Sequence, residues 1–81
     1  MTVLLFGITK DIVGSGSLSL AANQSESIQT VAELRSFLKG KFPELGGLSS
    51  LAVAVNSSYA PDETKITETD EIALIPPVSG G

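Results

Sequence analysis

The sequence predicts a two-layer α+β domain: a mixed sheet of four to five strands packed on one main helix. Three observations carry this expectation. One segment alone, residues 30–42, repeats apolar residues clearly at helical spacing. Strand-like segments flank it in the order β-β-α-β-(β)-β. A chain of 81 residues suits one domain with a thin core, because folding at this size buries only ~60% of the surface the unfolded chain exposes. A single helix covers one face of such a sheet, which gives two layers.

The elements follow in order. Thr2 to Ile8, TVLLFGI, is rich in strand formers and lacks a preceding basic region, so it reads as a first strand rather than a signal peptide. Ser17 to Ala21 alternates Ser and Leu, the mark of a half-buried second strand. The intervening GSGS at Gly14 to Ser17 supplies turn geometry, so these strands form a hairpin with a moderately long loop. No G-K-[ST] follows those glycines, which argues against a phosphate loop.

In the helix, Thr30 and Glu33 fit a capping box, and Val31, Leu34, Phe37 and Leu38 share one face as core. Lys39 and Lys41 suit the negative end of the helix dipole, and Pro43 stops the helix at Phe42. Leu51 to Asn56 reads as a third strand, and Tyr59-Ala60 as a short fourth. Asp70 to Pro76 is the last strand, closed by a proline that cannot donate to a ladder. The domain is expected over residues 1–75, with residues 76–81 as a projecting tail.

Composition removes several function classes. Cysteine and histidine are absent, so no disulfide, thiolate or imidazole metal ligand, Ser-His pair or Cys-His pair exists. Asp62, Glu63, Glu68, Asp70 and Glu71 fall in a turn-like polar stretch and read as a solvated acidic loop. The net charge of −4 repels nucleic acid and anionic membrane and favours a basic protein surface. No apolar run approaches the length of a membrane span, and the cytoplasm is the expected location.

The sheet is expected to be apolar on both faces. Val3 and Leu5 oppose Leu4, Phe6 and Ile8; Ile72 and Leu74 oppose Ala73 and Ile75; Leu51, Val53 and Val55 oppose Ala52 and Ala54. Only one face meets the helix. The other, carrying Leu4, Phe6, Tyr59 and Ile75, is a protein interface, or is covered by loops or by a second copy.

The ending, IPPVSGG, makes the last strand chemically distinct. Pro76 and Pro77 favour an extended, preset exit. Val78, Ser79, Gly80 and Gly81 follow, and the two glycines lack a Cβ, so they fit a channel too narrow for other residues. The reactive group is the α-carboxylate of Gly81, ionised at neutral pH and a poor electrophile until activated, for example as an acyl-adenylate.

Residues Ala54 to Asn56 (AVN), Thr67 to Gly81 (TETDEIALIPPVSGG) and Val3 to Gly14 (VLLFGITKDIVG) resemble the small subunit of molybdopterin synthase, a ubiquitin-like β-grasp family. Lys10 stands where arginine is common in that family, which keeps the charge and not the bidentate fork. Leu74 and Ile75 stand where aromatics often precede the two prolines.

The resemblance implies a sulfur carrier. An E1-like enzyme would adenylate Gly81 with ATP and Mg²⁺, and a sulfur donor protein would convert it to a thiocarboxylate. The large subunit, in a heterotetramer, would take the tail into its active site for transfer to cyclic pyranopterin monophosphate. Leu4, Phe6, Lys10, Tyr59 and Ile75 are the partner contacts expected on this reading. The chain would be no enzyme on its own and would bind no cofactor or metal. Three other readings stand: a sulfur carrier of thiamine synthesis, a ubiquitin-like modifier joined to target lysines, and a plain interaction module.

Overall fold

The computed structural model describes residues 1–48 and 50–77. Five strands form one mixed sheet: β1 (Thr2–Leu5), β2 (Ser17–Ser19), β3 (Ala52–Val55), β4 (Ser58–Tyr59) and β5 (Ile72–Ile75). Their order across the sheet is β2-β1-β5-β3-β4. The central pair, β1 and β5, is parallel, with Val3 beside Ile72 and Leu5 beside Leu74. The other pairings are antiparallel. With the main helix on one face this is the expected β-grasp arrangement.

Three helices lie between the strands: α1 (Ile8–Val13), α2 (Ala22–Ser25) and α3 (Val31–Lys41). The last is the anticipated helix, and its N-terminus is fully satisfied. Thr30 Oγ1 accepts from the Glu33 N–H at 3.2 Å, and the Glu33 carboxylate accepts from the Thr30 N–H at 3.1 Å. The Val31 and Ala32 amides donate to the carbonyls of Thr64 and Asp62, and the Leu34 amide donates to Thr30. The Thr30, Val31, Ala32 and Glu33 amides are the four orphan donors of the helix start, and each has an acceptor; the Leu34 bond is the first intrahelical one. Phe42, held out of the helical region by Pro43, caps the other end. A 3₁₀ turn then runs over Pro43–Gly47.

Val31, Leu34 and Leu38 of α3 pack in one cluster with Val3, Leu5, Val53, Ile72 and Leu74 of the sheet. Each fully buried aliphatic side chain stabilises by about 1.5–3 kcal/mol. Leu20, Ile28, Leu45 and Ile66 close the cluster from the connections.

Several sequence expectations change. The first strand ends at Leu5, not Ile8, and the hairpin connection holds a helix. The cause is Gly7, whose φ of +54° and ψ of −132° turn the chain out of the sheet in a conformation open to glycine alone. The hydroxyl of buried Thr9 accepts from the Phe6 N–H at 3.0 Å and donates to the Phe6 carbonyl at 2.5 Å, which fixes the turn. The fourth strand is Ser58–Tyr59 rather than Tyr59-Ala60, and the last strand starts at Ile72 rather than Asp70. Residues 61–69 contain no strand, as expected, yet they are not a free loop. Ile66 is buried, the Ile66 amide donates to Gln29, and Lys65 bridges Thr30. The Arg35 Nε lies 2.9 Å from an Asp62 carboxylate oxygen, and its guanidinium also donates to the Leu51 carbonyl.

Candidate partner-binding face and tail root

The sheet face away from α3 is apolar, and the strand register explains its shape. Leu4 lies beside Ala73, Ala73 beside Ala54, and Ala54 beside Tyr59. This row crosses four strands. Its two central positions hold small side chains and its flanks hold large ones. The result is a depression of about 300 Å³ with alanines for a floor. Phe6 and Ile75 wall one end, and Ser57 and Glu71 the other. Phe6 is 49% exposed and Tyr59 74%, high values for large apolar rings.

Of the residues singled out from sequence, Leu4, Phe6, Tyr59 and Ile75 therefore meet in one concavity. Lys10 does not line it. That residue is exposed on α1, with its Cε close to Gly16. Glu71 and Ser57 were not anticipated. Strand parity was a usable signal for Glu71, since residues 71, 73 and 75 alternate with buried Ile72 and Leu74. Glu71 is the one charge among the lining residues, so the concavity is apolar with a negative rim.

The Glu71 end is held by a clasp. Asn56 and Ser57 both have positive φ, 52° and 70°, as a two-residue hairpin turn of type I′ requires. The Asn56 side chain donates to Asp70 at 3.0 Å and accepts from the Glu71 N–H at 2.9 Å. The second oxygen of Asp70 accepts from the Thr67 N–H at 2.8 Å. The Asn56 amide and then the Thr67 N–H hold the Asp70 carboxyl below the usual carboxylate range. Glu68 is lowered too, first by the amino group of Met1 at 2.7 Å and then by the Ser25 hydroxyl. The expected acidic loop is thus exposed but partly ordered by hydrogen bonds.

At the opposite end β5 leaves the sheet. Pro76 and Pro77 are half-buried. The Pro76 ring lies over Gly7, where a Cβ would stand 3.1 Å from its Cγ. Val78, Ser79, Gly80 and Gly81 lie outside the described residues. Among the described residues, no group of three or more Asp or Glu side chains is placed to hold a metal ion, and no helix is long and apolar enough to cross a membrane.

The arrangement can recognise a protein surface and aim a chain end. Comparison with known proteins points the same way. The profile of the ThiS family matches residues 3–81. The molybdopterin synthase sulfur carrier subunit of Arabidopsis thaliana is 36% identical over 80 residues, spanning 98% of this chain and 80% of that protein. Among solved structures, SAMP1 of Haloferax volcanii superposes with a TM-score of 0.77 at 26% identity, covering 99% of this chain and 97% of its own. A chain in the complex of subunits 1 and 2 of the molybdopterin-converting factor from Helicobacter pylori superposes with a TM-score of 0.63 at 28% identity, covering 99% and 96%.

Proposed function

This chain belongs to the ThiS family, with the ubiquitin-like β-grasp fold, and from that premise we propose that it is the sulfur-carrier small subunit of molybdopterin synthase. The observation that carries the reading is the end-to-end similarity to a carrier subunit of that enzyme. The Pro-Pro-Val-Ser-Gly-Gly ending supports it.

The chemistry belongs to the Gly81 carboxyl group. An E1-like enzyme uses ATP and Mg²⁺ to form a Gly81 acyl-adenylate with release of pyrophosphate. A sulfide equivalent from a donor protein attacks the acyl carbon. The C–S bond forms, the C–O bond to AMP breaks, and a thiocarboxylate remains. Its sulfur is nucleophilic at neutral pH, where the parent carboxylate is inert. The large subunit receives the tail and supplies the active site for transfer to cyclic pyranopterin monophosphate. Two deliveries build the dithiolene.

The chain itself holds no resident cofactor, and the described residues offer the docking face rather than catalytic groups. Leu4, Phe6, Tyr59 and Ile75 pack against the partner, with Lys10 as a peripheral charge contact. The Helicobacter complex supports a large subunit as that partner. We assign a cytoplasmic heterotetramer of two small and two large subunits.

Incubation with ATP, the activating enzyme and a sulfur source is expected to give one oxygen-to-sulfur mass change at Gly81. An unchanged intact mass sinks the reading. A second reading, a protein modifier, is favoured by the likeness to SAMP1, a small archaeal modifier protein. It predicts an isopeptide-linked ladder of targets in cells, which a pure carrier does not give.

A further inference from the structure

Gly7 and Pro76 sit side by side because of the parallel register of β1 and β5. Leu5 lies beside Leu74. Continued by two residues, that register sets Gly7 next to Pro76. There the two chains part: β1 turns into α1 through the positive φ of Gly7, and β5 stops at a proline that cannot donate to the ladder. The Pro76 ring occupies the space that a side chain at position 7 would fill, since a Cβ there would come within 3.1 Å of its Cγ. That is closer than ordinary carbon contacts, which lie near 3.5–4.0 Å. Ile75, immediately before, is anchored in the depression beside Phe6, immediately before Gly7.

We propose that Gly7 is a positioning residue for sulfur transfer: its bare α-carbon is the seat of the Pro76 ring, and this seat sets the direction in which the tail leaves the sheet. The consequence for transfer rests on the sulfur-carrier reading above; the seat itself does not. From Pro77 to Gly81 five residues reach at most ~17 Å, so were the tail held extended by a partner, a tilt of ~10° at the root would move the reacting carbonyl by ~3 Å. A misplacement of about 1 Å at a reacting centre can lower a rate by about 10²-fold. A carrier whose root is loose still docks through its sheet face, yet presents Gly81 off the line of attack. The seat therefore acts on the transfer step more than on affinity.

The test uses the thiocarboxylated full chain with its own large subunit. Gly7→Ala introduces the clash but also strains a positive-φ position. Pro76→Ala is its companion, because it empties the seat without touching the backbone at residue 7. Single-turnover sulfur transfer at saturating large subunit, and the Kd of the complex, are measured for both. The expected result is a fall of about tenfold or more in the saturated rate, with Kd changed less than about threefold. A saturated rate within about twofold of the parent in Pro76→Ala, or a loss carried wholly by Kd, overturns the proposal. If Gly7→Ala does not fold, Pro76→Ala decides alone. Should the parent chain accept no sulfur, the carrier reading fails by itself. The seat is then judged by NMR, where nuclear Overhauser contacts between the Gly7 α-protons and the Pro76 ring protons are expected, and their absence refutes it.

Discussion

The Asn56 side chain donates to Asp70 at 3.0 Å and so ties the β3–β4 turn to the chain just before β5. The same residue holds a left-handed backbone, with φ of 52°. Its two roles can be separated. Asn56→Ala loses the clasp and adds about 1–2 kcal/mol of backbone strain, so its urea midpoint is expected to fall clearly. Asn56→Gly removes only the clasp, because glycine adopts this conformation freely. Its midpoint is expected between parent and Asn56→Ala. Equal midpoints for the two variants would show that backbone strain plays no part.

Acid should loosen this corner first. The folded Asp70 carboxyl titrates below its ordinary value of 3.8, because the Asn56 amide and the Thr67 N–H favour the ionised form. A depressed folded pKa gives stability that is complete above the unfolded value and lost as pH falls through the folded one. Glu68 acts in the same sense. Stability is therefore expected to be flat near neutrality and to fall below about pH 4. Asp70→Asn should make that fall shallower in denaturant midpoints taken across the acid range. An identical slope would remove Asp70 from the account.

The alanine floor of the depression sets a prediction for partner binding. Ala73→Leu fills a concavity open to solvent on the face away from the core. It should leave stability within about 0.5 kcal/mol, as surface changes usually do. It should weaken the complex with the large subunit by about tenfold, the loss expected when ~1.4 kcal/mol of packing is blocked. Calorimetry showing unchanged affinity would place the interface elsewhere.

Removing Gly81 should abolish sulfur loading and transfer, since the acyl carbon that carries sulfur would then belong to Gly80. The melting temperature is expected to stay within about 2 °C, because a glycine has no side chain to bury. A larger drop would make that residue structural.

How far the sequence discloses this molecule depends on the length of the signal. The helix α3 was legible because its capping box and its stripe of Val31, Leu34 and Leu38 run for three turns. The two-sided apolar pattern of β1 and β5 was legible because a period of two needs only four residues. α1 and α2 were not: six and four residues are too few to establish a helical repeat. Ile66 was missed for a related reason. It is a lone apolar residue in a polar stretch, and its burial comes with a bridge to the residues at the start of α3, in which the Ile66 amide donates to the Gln29 carbonyl and the Val31 amide to the Thr64 carbonyl. On the open face, parity found Leu4, Ala73 and Ile75, whereas the role of Ser57 depends on a turn whose left-handed backbone is visible only in three dimensions.

The central strands of the sheet come from opposite ends of the described chain, with Val3 beside Ile72. Such a contact closes a very large loop, so it forms late and slowly compared with local structure. During synthesis the middle of the sheet must stay open until residues 72–75 have emerged. Immature chains would expose the apolar edge of β1 and depend on rapid completion or on chaperones. Competence for activation and completion of folding would then arrive together, since the strand that seals the domain is the one that carries the tail.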